Sequence, residues 1–234
     1  EIKCEDENFF CLDFTSTGDR FAAAGKARVV RVYDETSKKA ICTMHGGDST
    51  DKPGHSNRIF SLKWHPTIEN CIVTGGWDNT IQVWDIRSGS SVRSIFGPHI
   101  CGDSMDISVD GKEMLTGSWR QEKQLQTFDF GTGKLKHTIN WRGQNTTVGT
   151  DPCQLYAAQF SKTDSNLIAA GGSGTNEAKV FERTPEGSAE QFTAIGTIRG
   201  LSRACCSVDF SHDDSKVAFC GGDGGVRVMK ITDN

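Results

Sequence analysis

The sequence has little proline and no long apolar stretch. It contains 5 prolines against 26 glycines in 234 residues, a balance typical of many short strands joined by tight turns. A membrane-spanning helix needs about 20 consecutive apolar residues, and no such stretch occurs in the sequence. We likewise expect no signal peptide. We therefore expect a globular all-β domain without a membrane segment.

Positive charge is also scarce. The formal net charge is −4, and no run of lysines and arginines occurs. Proteins that bind nucleic acid draw much of their affinity from basic residues that neutralise phosphates. We do not expect nucleic acid to be a partner.

The cysteines lack the spacing of a metal site or a disulfide framework. There are nine, an odd number, and no pair has the CxxC spacing of a zinc site. Most lie in apolar strand-like segments, where a free thiol packs as a small hydrophobic group. We therefore predict no metal and no cofactor. Unpaired thiols indicate an intracellular protein, placed in the cytoplasm with the nucleus as the alternative.

What the chain does have is a repeat. Five segments share an apolar strand, a polar turn and a second strand that ends in small residues and glycine. One large apolar residue anchors each segment, and these anchors are Phe14, Trp64, Ile107, Phe160 and Phe210. They are 50, 43, 53 and 50 residues apart, and the glycine follows each anchor after 10 or 11 residues. The variation in repeat length is therefore expected in loops.

A third strand follows each of these segments, and a fourth follows the first four. Four strands per unit, repeated radially, predict a β-propeller. The predicted fold is one domain over residues 1–234. Its blade units are 9–46, 55–97, 99–140, 153–197 and 200–234.

The second unit resembles a complete repeat of the WD-repeat (tryptophan–aspartate repeat) family, since it opens on Gly54-His55 and closes on Trp84-Asp85. The resemblance implies a structural hydrogen-bonded set of His55, Thr74, Asp78 and Trp84. The other four units keep few of these residues, so we expect apolar packing to hold them together.

The family resemblance also implies how the ring closes. The fifth unit has no fourth strand, and residues 1–5 form a strand-like stretch ahead of the first unit. We predict five four-stranded blades, with the strand at 1–5 completing the last blade. The alternative is that the chain forms part of a seven-bladed ring.

Three residues are candidates for partner binding, because the resemblance places them on the rim where WD-type propellers dock partners. Arg58 precedes a first strand, while Trp77 and Trp119 lie at equivalent turns after second strands. Tryptophan and arginine are the side chains most favoured as interface anchors. If both indoles are exposed, they form an apolar patch of the kind that binds proteins.

These observations favour a non-catalytic protein-interaction scaffold that presents one rim to a protein or peptide. A reader of modified lysines or peptide tails is the alternative. An enzyme using the channel mouth is a weaker hypothesis, because no nucleophile–base spacing occurs and no catalytic residue is predicted. The sequence does not predict the oligomeric state.

Overall fold

The computed structural model describes residues 2–4, 7–47, 53–142, 152–185, 187–188 and 190–232. These residues form nineteen strands. No described residue lies in a helix, and so the described part of the chain contains no helix that could cross a membrane. The chain divides into two compact units, residues 1–103 and 104–234. Each is larger than a predicted blade unit, and they are called the first unit and the second unit from here on. The single domain over 1–234 stays a prediction.

The first unit contains two antiparallel sheets whose strands pair in chain order. The first sheet consists of β1 (Phe9–Phe14), β2 (Arg20–Gly25), β3 (Val30–Asp34) and β4 (Ala40–Met44). The second sheet consists of β5 (Ile59–Trp64), β6 (Cys71–Gly76), β7 (Thr80–Asp85) and β8 (Ser90–Phe96).

The second unit contains three sheets of the same kind. The third sheet consists of β9 (Met105–Ile107), β10 (Glu113–Gly117), β11 (Leu125–Asp129) and β12 (Leu135–Ile139). The fourth has β13 (Gln154–Phe160), β14 (Leu167–Ser173), β15 (Ala178–Arg183) and β16 (Phe192–Ile198). The fifth has β17 (Cys205–Phe210), β18 (Lys216–Gly221) and β19 (Val226–Lys230). The predicted all-β fold of repeated four-stranded sheets is confirmed.

The predicted closing strand is not observed. Ile2, Lys3 and Cys4 lie outside any strand, and residues 1 and 5 lie outside the described residues. The Cys4 thiol instead lies 3.6 Å from the Tyr33 hydroxyl, at the first sheet. Among the described residues the fifth sheet has three strands.

Each sheet has two faces, which we name by their residues. The leading face carries the anchor residue of β1, β5, β9, β13 or β17. The trailing face is the opposite face, and it carries the residue directly before the anchor. In the first unit, the trailing face of the first sheet packs against the leading face of the second. This core contains Ala22, Ala24, Val30 and Val32 on one side and Leu62, Trp64, Ile72 and Trp84 on the other.

The second unit repeats this packing twice. The trailing face of the third sheet, with Leu115 and Leu125, packs on the leading face of the fourth, with Phe160 and Phe181. The trailing face of the fourth sheet packs in turn on the leading face of the fifth, and this core includes Ala169, Ala178, Val180, Val208, Phe210 and Val217. Three interfaces between successive sheets therefore share one arrangement.

A carboxylate marks two of these interfaces. Asp13 on the trailing face of the first sheet accepts the backbone N–H of Trp64 at 2.7 Å. Asp106 on the third sheet accepts the backbone N–H of Phe160 at 2.9 Å. The anchor residue of the following sheet is thus held through its main chain as well as its side chain.

Four first strands contain a one-residue bulge in the pairing with the second strand. The extra residues are Phe10, Phe60, Tyr156 and Cys206.

The strand register also corrects the alignment of the repeats at one glycine. Gly25 lies opposite Phe9, as Gly76 lies opposite Ile59. Gly25 therefore corresponds to Gly76 and not to Gly75, because the turn after Phe14 is one residue shorter than the turn after Trp64.

Candidate functional site

Four buried side chains of the second sheet form a continuous chain of hydrogen bonds. The Trp84 indole N–H donates to Thr74 Oγ1 at 2.7 Å, and Thr74 Oγ1 lies 2.7 Å from His55 Nε2. His55 Nδ1 lies 2.8 Å from Asp78 Oδ2. With the Nδ1–H tautomer of a neutral His55, every link has one donor and one acceptor. Trp84, Thr74 and His55 are fully buried, so each bond satisfies a group that water cannot reach.

The network extends beyond the four residues that the sequence singled out. Thr80 Oγ1 donates to Asp78 Oδ1 at 2.8 Å, and Gln82 Nε2 donates to Thr80 Oγ1 at 3.0 Å. Gln82 Oε1 then accepts a hydrogen bond from Ser91 Oγ at 2.7 Å. The polar chain therefore links residues of β6, β7 and β8 within one sheet.

The electrostatics of this network favour a structural role. Burial alone would raise the pKa of Asp78, but hydrogen bonds from His55, Thr80 and the Ser56 amide outweigh it and hold the pKa below its usual value. The carboxylate therefore stays ionised and bonded at neutral pH. A general base must reach a substrate proton, whereas His55 is buried with both ring nitrogens in hydrogen-bond contact.

Three other sheets replace this network with an ion pair, which corrects the expectation of apolar packing alone. Gln82 lies in the third strand of the second sheet, and the third strands of the other sheets have an equivalent position. That position is occupied by Arg31 in the first sheet, Lys179 in the fourth and Arg227 in the fifth. The residue opposite is Ala23, Ala170 or Phe219, none of which has the hydroxyl of Thr74. A cation therefore stands where no hydroxyl is available.

Each of these cations has an acidic partner. Arg31 pairs with Glu7 at 3.0 Å, Lys179 with Glu177 at 3.6 Å and Arg227 with Asp223 at 2.6 Å. The Glu7 side chain is 1% exposed, so its charge depends on Arg31 and on the Ala27 amide for compensation.

In the third sheet Thr116 is kept, but its hydroxyl bonds the Gln126 carbonyl at 3.4 Å. In the first compact unit, His99 Nδ1 lies 2.7 Å from Asn79 Oδ1.

Arg58 and Trp77 form a compact pair at the end of the second sheet. The Trp77 backbone N–H donates to the Arg58 carbonyl at 3.1 Å. A Cβ on Gly76 would collide with that carbonyl oxygen, so glycine is required for this approach. The Arg58 guanidinium lies over the indole, 5.3 Å from the ring centroid. The structure thus brings together the two rim residues that were predicted for the second blade unit, Arg58 and Trp77.

The Trp77 ring belongs to a row of stacked aromatic side chains. Phe60 stacks on Trp77 with centroids 4.7 Å apart, and Phe10 stacks on Phe60 at 4.9 Å. Phe10 and Phe60 are the bulged residues of β1 and β5, and a bulge redirects a side chain out of the normal alternation. Phe10 is 42% exposed and Trp77 is 37% exposed. We call Phe10, Phe60, Trp77 and Arg58 the aromatic row.

Trp119 lies in the second unit, after β10, and is 38% exposed. Its exposure matches that of Trp77, and the two occupy corresponding turns of their sheets. Whether the two indoles share one patch stays a prediction.

Sequence reasoning missed Phe10 and Phe60 as members of the row. Both looked like ordinary strand residues, because a bulge leaves no mark in the apolar alternation of a single strand. A comparison of the repeats offers one signal. In three of them the residue after Phe9, Ile59 or Leu155 is aromatic.

Comparison with known proteins agrees with the geometry of the second sheet. Residues 48–85 match the WD40 family, described as WD domain, G-beta repeat. The chain is 32% identical over 179 residues to coronin-like protein crn1 of Schizosaccharomyces pombe, covering 74% of this chain and 27% of that protein. It is 29% identical over 151 residues to mitochondrial division protein 1 of Kluyveromyces lactis, covering 59% and 20%.

The longest of these matches is to autophagy-related protein 16 of Arabidopsis thaliana, at 24% identity over 232 residues. It covers 94% of this chain and 39% of that protein. The chain therefore spans between a fifth and two fifths of these three relatives. The matched repeat and the relatives show that the chain carries a WD repeat, and its recurring four-stranded sheets are consistent with a WD-repeat β-propeller.

Proposed function

We propose that the chain is a non-catalytic scaffold that binds a protein or peptide partner through the aromatic row. WD-repeat proteins in general bind protein partners, and the proposal assigns that role to named residues. The observation that carries it is the stacked row itself. Three aromatic rings and a guanidinium stay partly exposed in an unbroken stack, although a monomer gains stability by burying such surface.

The row has the chemistry of an interface anchor. Trp77 is held by its backbone bond to Arg58 and by stacking on Phe60, so little conformational entropy remains to be lost on binding. Arg58 is exposed and has no ion pair with any residue that the structure describes, so its guanidinium can bind a partner's carboxylate or carbonyl. Trp119 would add a second anchor on the third sheet.

The alternative functions have weaker support. A methylammonium reader needs free aromatic faces, but Phe60 and Arg58 already pack against the ring of Trp77. An enzyme needs reachable titratable groups, and His55 and Asp78 are both committed to the buried hydrogen-bonded network. We place the protein inside the cell because all nine of its cysteines are free.

The test is capture of partners by the purified chain, with identification by mass spectrometry and reconstitution of each candidate from pure components. We expect Arg58→Ala with Trp77→Ala to lose the reconstituted complex while the melting temperature stays within a few degrees of wild type. Phe96→Ala is the matched control, since Phe96 is 79% exposed but lies outside the row. Equal binding by wild type and the double variant would rule out the row as the docking site.

A further inference from the structure

The two ends of the first unit differ in the exposure of their acidic side chains. At the end that carries the aromatic row, the side chains of Glu7 and Asp78 are only 1% and 3% exposed. Both are bonded within the fold, Glu7 to Arg31 and Asp78 to the buried network. At the opposite end three acids have side chains that are 59%, 42% and 77% exposed, namely Asp19, Glu35 and Glu69. Exposed acids are therefore concentrated away from the row.

Cationic side chains are exposed at the end with the row. Arg58 and Lys26 lie there, and neither forms an ion pair with any residue that the structure describes. Asp103 contacts Ser61 on β5 at 3.2 Å, but Lys63 compensates its charge, also at 3.2 Å. Among the described residues, the surface beside the row therefore has an excess of positive charge.

Lys26 takes the place in the first sheet that Trp77 takes in the second. Its backbone N–H donates to the Asn8 carbonyl at 3.0 Å, as that of Trp77 donates to the Arg58 carbonyl at 3.1 Å. The stack of the two bulged phenylalanines in the aromatic row joins the same two sheets. Each of the two sheets that this stack joins therefore carries one exposed cation at the end with the row.

The two cations are suited to carboxylates. The Arg58 guanidinium lies over the Trp77 indole, and such stacking leaves the N–H groups in the guanidinium plane able to donate. These groups match both oxygens of one carboxylate. The Lys26 ammonium attracts a second carboxylate as a point charge.

From these charges we infer that the aromatic row binds an acidic peptide segment of another protein. The inference rests on the proposed docking role of the row. One apolar side chain of the segment packs on Phe10 and Trp77, while one carboxylate binds Arg58 and another binds Lys26. Packed sheets lie about 10 Å apart, which is about three residues of extended chain. The two acids of the segment are therefore about three residues apart, with the apolar residue between them.

The test is selection from a random library of displayed peptides on the purified chain. Peptides that wild type retains should be enriched in aspartate and glutamate around an apolar residue, relative to the unselected library. A synthetic peptide of the most enriched sequence is then measured by fluorescence anisotropy. Lys26→Glu should weaken its binding about three- to tenfold, because a repulsion replaces an attraction outside the stacked rings.

Lys39→Glu is the matched control. Lys39 is also exposed, but it lies at the opposite end of the first sheet, in the turn between β3 and β4. The control makes the same change in net charge and should bind the peptide like wild type. Circular dichroism and thermal melting establish that both variants are folded.

The outcomes separate this inference from the proposed function. Retention of no peptide, or of peptides without acidic enrichment, would overturn the inference. Equal losses for Lys26→Glu and Lys39→Glu would overturn it too, because binding would then follow net charge and not this surface. The docking role of the row fails on a different result, which is that Trp77→Ala binds the selected peptide as tightly as wild type.

Discussion

The substitution Thr74→Val should sharply destabilise the first unit. Thr74 Oγ1 accepts a hydrogen bond from the indole N–H of Trp84 and donates one to His55 Nε2, both at 2.7 Å. All three residues are fully buried. Valine keeps the shape of the side chain but orphans two buried polar atoms. Each orphan costs about 1–3 kcal/mol, and partial relaxation reduces their sum. We expect the free energy of unfolding to fall by about 2–4 kcal/mol.

Urea denaturation followed by tryptophan fluorescence measures this loss as a lower midpoint with an unchanged slope. In a Trp84→Phe background the same substitution should cost less, because one of the two orphans no longer exists, and this double-mutant cycle isolates the indole–hydroxyl bond. Thr74→Ser should keep most of the stability. Thr127→Val is the control for the exchange itself, since Thr127 Oγ1 is buried without a hydrogen-bond partner among the described residues. A loss below about 0.5 kcal/mol for Thr74→Val, equal to that of Thr127→Val, would refute the reasoning.

Two further predictions concern titration and thiol reactivity. The pKa of Asp78 is lowered in the folded chain from its usual 3.8, so its stabilisation is complete above that value and is lost as the pH falls through the folded pKa. Asp78→Asn should therefore lower the urea midpoint at neutral pH, and the difference from wild type should shrink as the pH falls below 3.8; a constant difference would contradict this. Burial raises the pKa of the buried thiols, to about 11 for Cys71 and Cys153 and about 12 for Cys205. Iodoacetamide should therefore modify exposed Cys206 first and these three only on unfolding, as peptide mapping would show, and equal native rates for Cys205 and Cys206 would count against the described burial.

The repeated apolar pattern of the sequence predicted most of the strands, whereas the members of the hydrogen-bonded network were implied by the resemblance to the WD-repeat family. His55, Thr74, Asp78 and Trp84 occupy fixed positions of that family's repeat. The ion pairs of the other sheets have no such regularity. Glu7 precedes Arg31 by 24 residues, whereas Asp223 precedes Arg227 by 4. Their common feature appears only when the strand register aligns the cations with Gln82.

The aromatic row and the shift of Gly25 were unpredictable for a related reason. Both depend on a single residue, an extra one in the bulges at Phe10 and Phe60 and one fewer in the turn after Phe14. A one-residue change reverses the face of every side chain beyond it, yet it barely alters the apolar pattern of a short strand. The expectation of a closing strand at residues 1–5 came from the family resemblance together with the strand-like pattern of those residues.

The bulges define where these strands can be shortened. The extra residues are Phe10, Phe60, Tyr156 and Cys206, and the residues on either side of each already pair with adjacent residues of the second strand. Deleting an extra residue should therefore leave the paired register and the faces of the flanking side chains unchanged. Only the redirected side chain would be lost, and at Phe10 or Phe60 that side chain belongs to the aromatic row.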